Sequence, residues 1–147
     1  AGGPEEAAAT LRRELRYALP VSLAREVEYD HPRTSLLFIG PPTASAQQTH
    51  LLGRLWLRGT DGFAVSTITR FAGIPFGDQF RVLSLWLLHD DEGPGGAGGG
   101  CCHVITAVKV LMSRSSFLRG RVRAGTDEEM LPTMQRWCAA ALREVAR

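Results

Sequence analysis

The chain is short of lysine, of cysteine and of long apolar runs, and each shortage removes a class of protein. Lys109 is the only lysine among 17 basic residues, and 15 acidic residues leave a formal charge of +2. A dedicated nucleic-acid binder carries a clear positive excess, so no nucleic acid is expected and any electrostatic partner must be met by a local patch. No apolar stretch approaches the roughly 20 residues that cross a bilayer. Residues 1–6 do not read as a signal peptide. The three cysteines, Cys101, Cys102 and Cys138, show no C-x-x-C spacing, and an odd, unpatterned set reads as reduced thiols in a cytosolic setting. Cys101-Cys102-His103 is not read as a metal site, because adjacent strand residues point to opposite faces and no second cluster completes a tetrahedron. No metal and no cofactor is expected.

Catalytic patterns are missing too. There is no Gly-x-Ser-x-Gly elbow and no His-Glu-x-x-His, and His31, His50, His89 and His103 are scattered without carboxylates at useful spacing. The glycine tract within residues 93–100 is not followed by Gly-Lys-Ser/Thr, which excludes a phosphate loop. It reads as a mobile hairpin tip.

What is present fits one domain able to bury one core: 147 residues, 44% of them hydrophobic. Because the chain opens on Ala1-Gly2-Gly3-Pro4 rather than Met, it is expected to be a piece of a longer protein. Residues 5–17 have helical composition, ended by Pro20. From Arg25 the pattern alternates, with Val27 and Tyr29 on one side and Glu26 and Glu28 on the other. A short apolar run at 36–39 stops at Gly40-Pro41-Pro42. Residues 45–57, 63–71, 80–89 and 102–112 then read as strands rich in Val, Ile, Thr, Trp and Phe. Gly59-Thr60-Asp61-Gly62 is the expected turn between the first two, and sequential antiparallel pairing makes the sheet a meander.

An unusual connection follows the strand at 63–71. Ile74, Pro75 and Phe76 put apolar side chains where a turn usually faces water, so this tip either folds back over a core or meets an apolar partner. Towards the C-terminus the period changes. Thr126 and Glu129 have capping-box spacing, and Met130, Met134, Trp137, Cys138, Ala141, Leu142 and Val145 mark a long amphipathic helix that begins or kinks near Pro132. An antiparallel sheet carrying one long C-terminal helix is an α+β helix-grip arrangement. One helix cannot cover such a sheet, and the gap becomes an internal apolar cavity.

The order of motifs carries a resemblance. Arg25-Glu26-Val27-Glu28-Tyr29, Ile39-Gly40-Pro41, Thr49, Ile74-Pro75-Phe76-Gly77-Asp78-Gln79-Phe80, Val108-Lys109-Val110 and Ser115-Ser116-Phe117-Leu118-Arg119-Gly120 together resemble the VASt domain. That family is similar in fold to the steroidogenic acute regulatory lipid-transfer domains. The resemblance covers residues 24–147. Residues 1–23 form a divergent or truncated front, and Pro42 stands where many members place a lysine. The resemblance implies a non-enzymatic cup that holds a sterol or similar hydrophobic lipid and moves it between membranes. It also implies a longer protein with a GRAM domain, acting at the cytosolic face of membranes, endoplasmic reticulum contact sites included. Two other readings stay open: an interaction module that binds a partner at residues 74–76, and a cyclase-type helix-grip enzyme.

If a lipid is held, Val27, Tyr29, Leu55, Val65, Thr67, Val82, Trp86, Met134 and Trp137 are the expected wall, with Thr67 and Tyr29 able to hydrogen-bond its hydroxyl. Phe38, Ile39, Gly40, Pro41 and Pro42 are the expected lid, with Ile74, Pro75 and Phe76 as a second membrane-facing loop. Arg114, Arg119, Arg121 and Arg123, interleaved with Phe117, Leu118 and Val122, suit an anionic membrane surface. They also suit RNA phosphates or plain solvation.

Overall fold

Alternation at every second residue builds five strands, and a computed structural model of the chain shows how they are arranged. The structure describes residues 21–32, 42–57, 60–91, 101–113, 117 and 119–145. They form strands β1 (Val21–Pro32), β2 (Thr43–Leu57), β3 (Thr60–Ala72), β4 (Phe80–Asp91) and β5 (Cys101–Met112), followed by helix α1 (Arg119–Val145). The sheet order is β1-β2-β3-β4-β5, and every pair is antiparallel. The expected meander and α+β helix-grip class are therefore observed. The expected helix at 5–17, the apolar run at 36–39 and the glycine tract lie outside the described residues.

Register fixes the faces, because residues directly opposite on neighbouring strands share one. Val65 stands opposite Leu52 and Trp86, and Thr67 opposite His50 and Ser84. Trp86 in turn packs on Trp137 of α1, with ring centroids 4.4 Å apart, so this is the face the helix lies on. The opposite face carries Leu51, Ile68 and Leu83 as one buried cluster and Leu55 with Ala64 as another.

On the helix face the tightest packing joins Phe80 and Val82 to Val122 of α1, with Phe71, Ile74, Val108, Val110 and Met112 around them. The helix is anchored there by its first turn. Beyond that turn His31 of β1 and Glu129 of α1 approach to 3.2 Å, and the His31 ring meets Phe71 edge-on at 5.7 Å.

Three expectations need correction. Thr60, Asp61 and Gly62 are not a turn; they already pair within β3, with Thr60 opposite Leu57. Gly62 is needed for close packing, since a Cβ there would sit 2.5 Å from the Leu88 carbonyl oxygen. Second, α1 starts at Arg119, not near Thr126 or Pro132. Burial of Val122 and the helix-favouring Arg and Ala around it nucleate the element earlier. Thr126 Oγ1 consequently donates to the Val122 carbonyl one turn back at 2.8 Å and caps nothing. Pro132 is tolerated inside the helix although it has no N–H to donate, and the Thr133 hydroxyl donates to the Glu129 carbonyl beside it at 3.0 Å. Third, the apolar stripe of α1 does not run its full length. Met130, Met134, Cys138 and Ala141 are half-buried, whereas Leu142 and Val145 are exposed.

The apolar connection after β3 divides in two. Ile74 turns inward against Phe71 and Phe80, while Pro75 and Phe76 face outward, Phe76 at 44% exposure. Phe76 adopts φ 63°, the left-handed region, and leads into a single 3₁₀ turn (Gly77–Gln79). Gly77 is buried so tightly that a Cβ would lie 2.7 Å from the Phe71 carbonyl oxygen.

Candidate functional site

The helix face has three zones along the strands. At the anchored end the residues under Val122 and Gly125 are nearly close-packed. The pocket among His31, Ala44, Phe71, Ile74, Phe80, Gly125, Thr126 and Glu129 has a volume of only about 40 Å³, room for water and no more.

The middle zone is polar. Gln48 Nε2 donates to Thr69 Oγ1 at 2.9 Å, and Gln48 Oε1 accepts from His50 Nε2 at 2.8 Å. The Thr67 and Ser84 hydroxyls are hydrogen-bonded to each other across β3 and β4. Register sets Arg25 opposite His50 on the same face. Burial, and secondarily the Arg25 charge, lower the His50 pKa below its ordinary 6.5, so the ring is neutral at neutral pH. With its proton on Nε2, Nδ1 is left as an acceptor. An acceptor and a guanidinium donor thus stand side by side, the pair of functions that a hydroxyl group engages.

The third zone is open and apolar. A pocket of about 410 Å³ is bounded by Leu23, Ala24, Arg25, His50, Leu52 and Val65, within the 300–1,000 Å³ range of small-molecule sites. Large apolar side chains stay exposed around it. Leu23 is 65% and Trp137 43% exposed, and Phe63 and Val104 share the same face. The described walls come from β1, β2 and β3, and the polar zone forms one end of the pocket.

The expected wall residues are distributed among all three zones. Val65 lines the open pocket, and Trp86 with Trp137 stands beside it. Thr67 belongs to the polar zone but its hydroxyl is taken by Ser84. Val82 is packed under the helix anchor. Val27, half-buried, and Tyr29, 38% exposed, share the helix face. Burial raises the Tyr29 phenol above its usual 10.0. Met134 is half-buried on α1. Leu55 is a correction: it stands opposite Gly62, on the other face, buried with Ala64. One step in parity along β2 moves a side chain through the sheet.

Of the expected lid, Phe38, Ile39, Gly40 and Pro41 lie outside the described residues, and Pro42 is exposed. Arg114 also lies outside them, whereas Arg119, Arg121 and Arg123 are exposed on the first turns of α1. No acidic residue occupies that first turn, so the positive end of the helix dipole and three guanidinium groups add at one pole. Leu23, Leu52, Arg25, His50 and Gln48 escaped sequence reasoning. Leu23 and Arg25 lie on β1 and Gln48, His50 and Leu52 on β2, and nothing local tells which face of a strand a helix covers.

The described fold and pocket define the class: a helix-grip domain with an open, lipid-sized apolar pocket ending in a polar belt. A family model described as the VAD1 Analog of StAR-related lipid transfer domain, VASt, matches residues 5–129. The chain belongs to the VASt family, a START-like family of lipid-binding domains. No curated protein matches the chain.

Proposed function

We propose that the chain binds one sterol or similar hydrophobic lipid on the helix face and carries it between membranes without chemical change. The observation that carries this is the pocket of about 410 Å³ with an apolar wall and a single polar end in a member of a lipid-binding family. Covering apolar ligand surface at about 25 cal/mol per Å² supplies the affinity. The lipid's polar group meets His50 and Arg25, which set its orientation.

Membrane contact follows from the same reading. Arg119, Arg121 and Arg123 meet anionic headgroups, each adding about 1 kcal/mol near the surface, and Phe76 enters the interface. Phe38, Ile39, Gly40, Pro41 and Pro42 serve as the door. In the whole protein, a GRAM domain and other segments bring this domain to the cytosolic face of membranes at contact sites. Exposure of Phe76 on a strained turn favours one second reading, a protein partner bound at that tip with no lipid carried.

Native mass spectrometry after incubation with sterol- and phospholipid-containing vesicles separates the two. One lipid per chain, with uptake from anionic vesicles reduced in Arg119→Glu/Arg121→Glu, is expected. A folded chain that stays empty with every vesicle would defeat the carrier reading.

A further inference from the structure

A sheltered polar end discriminates between ligands by what it can donate and what it can accept, because a group left unpaired there costs more than a bond gained. In the polar zone beside the open pocket that inventory is set by a relay across β2 and β3. Gln48 stands opposite Thr69 of β3 and two residues from His50 on the same face of β2. Its amide nitrogen donates to the Thr69 hydroxyl at 2.9 Å, and its carbonyl accepts from His50 Nε2 at 2.8 Å. Thr69 is buried, and Gln48 and His50 are half-buried, so both bonds are sheltered from water. His50 and Arg25 face each other in register and border the pocket. With Nε2 committed to Gln48, the ring nitrogen that remains for a ligand is Nδ1.

We infer that Gln48 is the positioning residue that sets the pocket's specificity: by accepting from His50 Nε2 it leaves Nδ1 a bare acceptor beside the Arg25 guanidinium, and the pocket selects a lipid with a free hydroxyl over the ketone of the same skeleton. This rests on the reading of the pocket as a lipid site. A hydroxyl satisfies both groups at once, its hydrogen going to Nδ1 and its oxygen accepting from Arg25. A ketone oxygen accepts from Arg25 alone and leaves the covered Nδ1 lone pair without a partner. The other tautomer, with the proton on Nδ1, would favour the ketone instead. Two features oppose it. The Gln48 carbonyl holds the proton on Nε2. The Arg25 charge, which also lowers the His50 pKa, favours a lone pair over an N–H on the nitrogen that shares the pocket with it.

Competition between cholesterol and its 3-ketone, supplied in equal amounts in phosphatidylcholine vesicles and read by native mass spectrometry, tests this. The alcohol is expected to be taken up over the ketone by about tenfold. In Gln48→Met the carbonyl is gone, the ring proton is free to move to Nδ1, and most of that preference is lost. Gln48→Glu, at about pH 8.5 and so above the ordinary imidazole range, restores an acceptor and with it the preference. A change that merely loosened the zone would weaken both sterols alike and leave their ratio unmoved. Long-range ¹⁵N–¹H NMR of the His50 ring in the ligand-free chain needs no variant and should find the proton on Nε2. The inference is overturned by equal uptake of the two sterols, by an unchanged ratio in Gln48→Met, or by a proton on Nδ1. Uptake of neither sterol defeats the carrier reading and this inference with it, whereas equal uptake defeats the inference alone.

Discussion

The two ends of the helix face are made of similar residues and behave differently. Under the first turns of α1, where Phe80, Val82 and Val122 pack together, Phe71, Ile74, Phe80 and Gly125 leave a pocket of only about 40 Å³. At the other end Leu23, Leu52 and Val65 border a pocket ten times larger, and the helix reaches the sheet through Trp137 on Trp86. Trp137 lies 15 residues beyond Val122, about 22 Å along the helix. The comparison teaches that hydrophobic content does not decide where a cavity lies. The anchor does: one end is closed by side chains packed under the first turn of α1, and at the other no described residue of α1 lines the pocket.

The comparison is broken most severely at the closed end. Phe80→Ala is expected to cost about 3–5 kcal/mol in urea unfolding. Trp137→Ala, at the open end, should cost no more than the aromatic pair provides, about 0.5–1.5 kcal/mol. Equal losses would show that both ends carry the fold. Next comes Gly77→Ala, which forces a methyl group against the Phe71 carbonyl and should lower stability by about 1–3 kcal/mol. An unchanged melting temperature would mean that the turn after β3 yields freely.

Leu52→Trp sharpens the comparison from the other side. Filling the open pocket should reduce lipid uptake at least about tenfold, equivalent to 1.4 kcal/mol, with the unfolding midpoint within experimental scatter of the parent. Retained uptake would move the ligand away from β1–β3. The smallest effect expected is in pH dependence. His50 has its pKa lowered by burial and by Arg25, so below pH 6.5 the unfolded chain takes up the proton before the folded one. Stability from this group is complete above 6.5 and is lost as pH falls through the folded value. His50→Gln should flatten that acid limb in thermal melts at successive pH values, and an unaltered slope would assign the limb to other groups.

Much of this architecture was legible. Five strand-like runs and a change of period read from Thr126 onward gave the meander and the terminal helix, since strand and helix periods are local properties of the chain, although the helix itself begins at Arg119. The turn at residues 74–76 was legible as an anomaly, and its resolution, Ile74 inward and Phe76 outward, was not. Of the residues singled out as a wall, Val65 borders the open pocket and Trp86 and Trp137 pack on each other beside it, Leu55 lies on the other face, and Leu23, Leu52 and His50 were not singled out. Thr126 looked like a cap and is an interior residue, because burial of Val122 outweighs a capping preference worth about 1 kcal/mol.

By itself the sequence determined the order of the described elements, their antiparallel pairing and the family to which the chain belongs. Periodicity, turn residues and motif order are all written in consecutive residues. Tertiary structure alone decided which face of the sheet meets the helix, where the helix is anchored, that the open end is the pocket, and that Gln48 stands between His50 and Thr69. Those facts depend on phase and register across strands. A shift of a single residue reverses every face while leaving the local pattern unchanged.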